Sequence, residues 1–224
     1  AKPGTPGINP PPTQLPAKPG RPGAIPPPAQ LPVHPPVARP LPWYPSHPNY
    51  PDYRPGYWWR WATASAVTGW IAYRWSQPVY YQYGSGGNVY YEDNTVYVNG
   101  QEYGSAEQYY SDTNQVAESV PELTETQAEQ LEWMPLGVFA ITAEGVNASS
   151  MFLQLAVSKE GVIAGTFYNE STEVSHPVEG MIDEKTQRAV WKAADGSNPD
   201  LIMETGIYNL TQETAEVLVH FGPE

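Results

Sequence analysis

The stretch from Met151 to Tyr168, MFLQLAVSKEGVIAGTFY, decides the fold. Its first half carries an apolar residue at every second position, which puts one set of side chains on a single face of a strand: Met151, Leu153, Leu155 and Val157. A Lys-Glu-Gly turn follows at 159–161, and 162–168 can return as a second strand. The sequence therefore predicts an antiparallel hairpin with one buried face.

The same alternation and turn chemistry continue on both sides of this hairpin. It is clear at Ala189, Trp191 and Ala193, and again at Val217, Val219 and Phe221. The predicted strands are 137–142, 151–158, 162–168, 173–182, 187–193, 201–208 and 215–221. Such a series favours a meander closed into a small barrel, or a sandwich. Because 222–224 reads as a turn, we expect a further strand beyond it or the strand of a neighbouring copy.

Residues 77–103 read as a tyrosine-rich meander. An extended segment is predicted at 78–83, and the strands 88–92, 95–98 and 101–103 are separated by Asp93-Asn94 and Asn99-Gly100 turns. Ser105 and Gln108 have the spacing of a capping box, which predicts a helix to about 117. After Pro121, a second cap at Thr124 predicts another helix through about 133.

The aromatic stretch 57–75, YWWRWATASAVTGWIAYRW, is predicted as a helix. Small residues then share one face that another backbone can approach: Ala62, Ser65, Ala66 and Gly69. Thirteen residues separate Arg60 from Arg74, fewer than the roughly 20 that a bilayer-spanning helix needs. We therefore expect an interfacial or protein-packed helix that is not transmembrane, with a buried helix under the β domain as the alternative.

The first 56 residues form a proline-rich basic arm. The pattern KPGxPGxxPPPxQLP occurs twice, at 2–17 and 18–33, and 20 of the 26 prolines lie in the first 55 residues. Proline fixes φ and removes an amide donor, so the arm favours polyproline II geometry over a helix or a central strand. Such chains dock in grooves lined with aromatic rings, which this sequence supplies in abundance.

Charge also differs between the two ends of the chain. Residues 1–88 carry seven basic and one acidic side chain, net +6, whereas residues 89–224 carry net −19 within a total of −13. This asymmetry favours association of one copy's basic part with another's acidic part. It argues against nucleic acid as a partner, because phosphates repel the acidic portion. The absence of cysteine excludes disulfides and thiolate chemistry.

No catalytic, cofactor or metal site is predicted, and the chain is not expected to be an enzyme. His34, His47, His176 and His220 lack the spacing of zinc ligands, and Ser175-His176 is not accompanied by a hydrolase motif. The segment 195–200, DGSNPD, is read as a surface turn rather than a calcium loop. Sequons begin at Asn147, Asn169 and Asn209 and matter only where the source glycosylates them.

Several long motifs resemble a family of exported planctomycete proteins, sometimes labelled protocadherin-like cell-surface proteins. They are VYYQYGSGGNVYYEDNTVYVNGQEYG, MPLGVFAITAEG, LQLAVSKEGVIAGTFYN, DEKTQRAVWKA and METGIYNLTQETAEVLVHFG, and the resemblance covers about 58–222. It implies export, with the signal peptide removed, to an extracellular or cell-surface location. It brings no catalytic residues with it.

Together these features predict a mainly β protein with short helices in three parts: the arm 1–56, an aromatic and tyrosine-rich part 57–134 and an antiparallel β domain 135–224. The expected function is that of a secreted structural protein whose arm docks on a neighbouring subunit to form a homo-oligomer or a polymer such as a filament. The alternative is a tethered carbohydrate-binding module for a cell-envelope glycan, with tyrosine and tryptophan rings stacking on sugars. The residues expected at the assembly contact are Lys2, Lys18, Arg21, Arg39, Trp43, Tyr44, Trp58, Trp59, Trp61, Trp70, Trp75, Tyr90 and Tyr91.

Overall fold

A computed structural model describes residues 14–15, 62–122, 131–141, 150–169, 171–172, 174–212 and 215–222. The chain begins with β1 (Gln14–Leu15), α1 (Ala64–Trp70), β2 (Val89–Glu92), β3 (Thr95–Val98), β4 (Gln101–Ser105) and α2 (Ala106–Glu118). It continues with β5 (Trp133–Ile141), β6 (Met151–Ser158), β7 (Val162–Asn169), β8 (Val174–Ile182), β9 (Arg188–Ala193), β10 (Leu201–Gly206), a 3₁₀ turn (Asn209–Thr211), β11 (Ala215–Glu216) and β12 (Leu218–Phe221).

The main sheet is an antiparallel meander of seven strands in the order β5-β6-β7-β8-β9-β10-β12. The predicted series of C-terminal strands is thus confirmed, but closure into a barrel is wrong: within the described residues, β5 and β12 are edges that do not pair with each other. The predicted strand 215–221 is divided at Val217 into β11 and β12, and β11 pairs instead with β1. The last part of the sequence therefore serves two different sheets.

One face of the main sheet holds the principal core. The alternation predicted for β6 is confirmed, because Leu153, Leu155 and Val157 all lie in this core. Trp191 from β9 and Tyr208 after β10 are fully buried in the same cluster. On the opposite face α2 packs Ala117 and its neighbours against β9 and β10. The sheet is therefore covered on both faces, which is the usual way for such a sheet to exclude water.

The three-stranded sheet β2-β3-β4 forms as predicted, with two tight turns. Asp93 and Asn94 have φ of 47° and 65°, and Asn99 and Gly100 have φ of 53° and 74°. Two successive residues with positive φ are typical of the type I′ turn that matches the twist of a hairpin. Helix α2 follows directly, and the predicted cap is confirmed because Ser105 Oγ accepts a hydrogen bond from the amide of Gln108.

The predicted helix 57–75 is much shorter in the structure, and 57–61 lie outside the described residues. α1 has seven residues, is capped by Thr63, and ends at Trp70, because the next residue, Ile71, has an extended ψ of 138°. The expected face of small residues is also wrong, since Ser65, Ala66 and Gly69 are exposed while Val67 and Ile71 enter the core. The apolar side chains decided the orientation, because burial of large groups stabilises more than close backbone approach.

Residues 62–83, which include α1, run along one end of the main sheet, and we call them the belt. The Ala62 amide donates to Leu136 O on β5 at 3.4 Å, and the Ala72 amide donates to Lys159 O in the β6–β7 turn at 2.9 Å. The belt then passes the β8–β9 turn and the segment after β10 before it reaches β11. It thereby contacts every turn at this end of the meander.

Some further boundaries differ from the prediction. The segment 78–83 is extended, but Tyr83 makes only an isolated bridge to Val89. Trp133 belongs to β5 and not to the end of the helix predicted at 124–133, most of which lies outside the described residues. Neither described helix has the length and apolar character that a bilayer-crossing segment requires.

Candidate assembly surface

We call the described residues from Ala62 onward the body. The arm meets the body at β11. β1 pairs with β11 in antiparallel register, with Gln14 opposite Glu216 and Leu15 opposite Ala215, and it also lies beside β5. Pro16 follows the strand directly and Pro12 lies two residues before Gln14, and proline cannot donate to a ladder. Thr13, Gln14 and Leu15 retain three adjacent amides between these prolines, and the strand uses the last two of these residues. This strand was not predicted, because the prolines of the arm favour polyproline II geometry over a helix or a central strand.

The body holds β11 firmly from within. Thr205 Oγ1 donates to Glu216 O at 2.5 Å, and Glu216 Oε2 accepts from the amide of Tyr83 at 2.7 Å. The Ala215 side chain is buried in the principal core. β11 is therefore fixed by β10 and by the belt, and it can present a backbone edge to an incoming strand.

Aromatic side chains fix the belt to the turns of the sheet. The indole nitrogen of Trp70 donates to Val157 O at 3.1 Å, that of Trp75 to Glu184 O at 2.7 Å, and the Tyr73 hydroxyl to Glu160 O at 2.7 Å. Tyr73 and Tyr208 both contact the Trp75 ring, with centroids 5.4 and 5.8 Å away. Two of the predicted assembly residues, Trp70 and Trp75, therefore use their polar groups and much of their ring surface within the chain.

The last part of the belt is held by side-chain amides in place of a neighbouring strand. Asn209 Oδ1 accepts from the amide of Tyr81 at 2.8 Å, and Asn209 Nδ2 donates to Tyr81 O at 2.7 Å. Gln187 makes the equivalent pair with the Val79 amide and with Gln77 O. This explains why 78–83 is extended without belonging to a ladder: each amide side chain supplies the donor and acceptor that a strand would supply.

The two remaining described assembly residues lie in the three-stranded sheet. Tyr90 stacks on its cross-strand partner Tyr97, with ring centroids 5.0 Å apart and planes 9° from parallel. Tyr91 projects to the opposite face because it is the next residue along the strand. It is 59% exposed and its hydroxyl donates to Asn94 Oδ1 at 2.8 Å. Stacked cross-strand rings stabilise a hairpin, so the Tyr90 ring has a structural role here.

The other predicted assembly residues lie outside the described part of the chain: Lys2, Lys18, Arg21, Arg39, Trp43, Tyr44, Trp58, Trp59 and Trp61. Among the four described ones, no ring contact joins Trp70 or Trp75 to Tyr90 or Tyr91. The structure therefore places these four in two separate groups.

A buried charged network, which the sequence did not predict, joins α2 to the sheet. Glu204 on β10 is fully buried and accepts from the Tyr109 hydroxyl at 2.6 Å, from Thr113 Oγ1 at 3.1 Å and from Arg188 Nη1 at 2.9 Å. The Arg188 guanidinium carbon also lies 5.0 Å from the centre of the Tyr109 ring. His220 Nε2 is 3.8 Å from the carboxylate, a distance for an ion pair but not for a hydrogen bond.

Opposing effects set the ionisation of this network. Burial alone raises the pKa of the Glu204 carboxyl, but the facing His220 ring, the Arg188 charge and the Tyr109 hydroxyl outweigh burial and hold that pKa below its usual value. Burial and the neighbouring Glu204 charge raise the pKa of Tyr109. The site thus holds an ionised carboxylate and a neutral phenol. Its donors and acceptors point at one another, so the network anchors α2 to the sheet.

A second polar cluster combines His176 with the turn after β9. His176 Nδ1 lies 2.7 Å from Asp195 Oδ2 and 3.1 Å from Ser197 Oγ. A catalytic triad needs the carboxylate and the hydroxyl on opposite ring nitrogens, so that the base is oriented by one and activates the other. Here both face the same nitrogen. This geometry does not form a nucleophile–base pair.

The predicted turn at 195–200 is confirmed, and Asp195 organises it. Asp195 Oδ1 accepts from the Ser197 hydroxyl at 2.5 Å and from the Ser197 amide at 2.9 Å. The Ser197 hydroxyl and the His176 ring, together with that amide, lower the pKa of Asp195 to about 2. Its carboxylate oxygens are thus already engaged. Within the described residues no group of three or more His, Asp or Glu side chains could hold a metal ion.

Comparison with known proteins adds no relative. No protein-family model, curated protein or solved structure matches the chain. The resemblance to exported planctomycete proteins therefore stays a prediction.

Proposed function

We propose that the chain is a secreted structural protein that self-associates into an extracellular or cell-surface polymer, with the proline-rich arm of one copy docking on the folded body of another. The single observation that carries the proposal is the antiparallel pairing of β1 with β11. It is a contact between the arm and the body, and it uses backbone groups that every copy of the chain presents.

We favour strand addition over the aromatic groove as the docking mode. In strand addition, main-chain hydrogen bonds supply affinity, and the sequence of the added strand needs only to permit them. Trp70 and Trp75 instead donate to Val157 O and Glu184 O of their own chain. Their removal should therefore weaken the body before it weakens assembly.

Charge supports the same arrangement. Before Pro40 the arm carries only basic charges, on Lys2, Lys18, Arg21 and Arg39, whereas residues 89–224 carry net −19. Long-range attraction between them brings an arm toward a neighbouring body, while strand pairing fixes its position. Exposed charges are screened within about 8 Å at physiological salt. Salt should therefore slow association more than it loosens a formed contact.

The proposal is tested by comparing the full chain with a chain that begins at Tyr57. Electron microscopy and light scattering should show concentration-dependent assemblies of the full chain and only monomers of the shorter one. Circular dichroism of the shorter chain should retain its β signal, since its principal core draws on residues from Ala62 onward. If the full chain stays monomeric at every concentration, or if both chains assemble alike, the proposal is wrong.

Glycan binding is a second candidate, favoured by exposed tyrosine rings. Tyr80 and Tyr91 keep 40% and 59% of their surface exposed. A phenol ring with a free face can stack on a sugar ring. A tethered binding module should bind soluble cell-envelope polysaccharide as a monomer, and Tyr91→Ala should weaken that binding. Strand addition at β11 does not use Tyr91, although the sequence placed it among the assembly residues, so in this docking mode Tyr91→Ala should leave polymer formation unchanged.

A further inference from the structure

The arm contains the docking sequence twice, while the described body pairs with it at one strand. β1 is the QL of the first repeat, PPPTQLPA, and the second repeat reads PPPAQLPV. We propose that Gln30–Leu31, the QL of the second repeat, occupies the place beside β11 in a second copy of this chain. The inference rests on the proposed self-association and names both the strand that is donated and the edge that receives it.

The two repeats are equivalent for backbone pairing. Pro12 and Pro16 flank the first QL, and Pro28 and Pro32 flank the second at the same spacing. Each copy therefore offers three adjacent amides, the last two of them at QL, between prolines that cannot donate. The repeats differ next to this unit, where Thr13 is replaced by Ala29. The observed β1–β11 register depends on Cα partners at QL alone, so the second copy can reproduce it.

The receiving edge suits a strand of this length. β11 has two residues and is held by Thr205 on one side and by the Tyr83 amide at the Glu216 side chain. The chain then turns at Val217 into β12, which pairs with β10. β11 therefore offers a short backbone edge, and β1 fills it between β11 and β5. A longer ladder is not available there, which matches a donor that proline limits on both sides.

The second repeat is placed to reach a neighbour. When Gln14–Leu15 pairs with β11 of its own chain, that β11 edge is not available to Gln30–Leu31 of the same chain. Thirty residues separate Leu31 from Ala62, and a proline-rich chain of that length can span up to roughly 90 Å at about 3.1 Å per residue. Donation to a neighbour displaces that neighbour's Gln14–Leu15 by an equivalent pairing. Exchange of identical elements conserves the contacts and costs little, so protein concentration controls it.

The test uses the absence of cysteine from the natural sequence. One full-length chain carries Leu31→Cys and a second carries Ala215→Cys, the partner of Leu15 in the observed register. A disulfide between these two proteins can form only between molecules. Cross-strand partners have the Cβ separation that a disulfide tolerates after small adjustment. The matched control replaces Leu31→Cys with Ala24→Cys, which lies in the same repeat and outside the QL unit.

We expect the Leu31→Cys and Ala215→Cys pair to give about tenfold more mixed disulfide dimer than the control pair, because docking raises the local thiol concentration. Equal yields from the two pairs would overturn the inference. Light scattering on the unmodified chain then separates the two proposals. If it assembles while the yields are equal, the second repeat is not the donor but self-association stands; if it is monomeric, both proposals fail.

Discussion

Replacing Glu204 with alanine is expected to lower the free energy of unfolding by about 3–5 kcal/mol, the usual cost of leaving one partner of a buried ion pair unpaired. The Arg188 side chain is only 5% exposed, so its charge cannot move into water after the change. Tyr109 and Thr113 lose their acceptor at the same time. Urea unfolding followed by tryptophan fluorescence measures the effect.

Glu118→Ala is the matched control for that experiment. Glu118 Oε1, on α2, lies 3.2 Å from Nζ of Lys192 on β9, but the Glu118 side chain is 58% exposed. Exposed pairs contribute about 0–1 kcal/mol, so this change should be nearly silent. The double change Arg188→Met with Glu204→Leu should recover the part of the loss that comes from the unpaired Arg188 charge, because it removes both charges, while Tyr109 and Thr113 still lack the Glu204 acceptor. A loss for Glu204→Ala as small as that for Glu118→Ala would show that the Arg188–Glu204 pair is not buried in solution.

The same carboxylate makes stability depend on pH. Since the folded-state pKa of Glu204 is lowered from its ordinary value of 4.5, its ionisation stabilises the fold above that value. This contribution is lost as the pH falls through the lowered folded-state pKa. In the Arg188→Met and Glu204→Leu double variant, the acid side of the stability profile should therefore be flatter than in the unmodified chain.

The second large effect is expected for Asn209→Ala. Both amide atoms of Asn209 bond the backbone of Tyr81 in a buried position, and removing them leaves one donor and one acceptor without partners. Each of the two groups costs about 1–3 kcal/mol, so the change should lower the free energy of unfolding by roughly 2–6 kcal/mol. The sequon at Asn209 is unsuitable for glycosylation in the folded chain for the same reason.

Asn88→Ala provides the comparison for Asn209→Ala. Asn88 makes the same type of paired contact on the other edge of the belt, with the Gln82 amide and with Tyr80 O, but these bonds are exposed. Water can replace them, so the loss should stay within about 1 kcal/mol. Equal losses for the two variants would mean that belt anchoring does not depend on burial at Asn209.

The body was predictable to the extent that its signals are local. Alternation in β6 and β9 identified the buried face, and the Asp93-Asn94 and Asn99-Gly100 pairs identified hairpins, because each pattern is read within a few residues. The start of α2 at Ser105 was predictable for the same reason. The interleaved apolar and aromatic residues at 57–75 predicted too long a helix. Hydrogen bonds from Trp70 and Trp75 to the main sheet hold the chain along the sheet instead.

The network and the arm contact depend on long-range register. Arg188 lies opposite Gly206 and meets Glu204 only diagonally across β9 and β10. The spacing of Arg188 and Glu204 in the sequence therefore does not predict that they pair. Tyr109 and Thr113 give a partial signal, as polar groups four residues apart on one helix face. Gln14 and Glu216, which pair, are separated by nearly the whole length of the chain. The prolines near Gln14 argued against a strand there.

The most direct test of assembly by strand addition replaces Gln14, Leu15, Gln30 and Leu31 together with proline and measures molar mass by light scattering. These changes keep the charge and extended character of the arm, and they remove the backbone amides that strand pairing needs together with the Gln and Leu side chains. If strand pairing drives assembly, the measured molar mass of the unmodified chain should rise above its monomer mass of 24.7 kDa as concentration increases, while that of the variant stays at its monomer mass. Assembly of the variant to the same mass as the unmodified chain would contradict it.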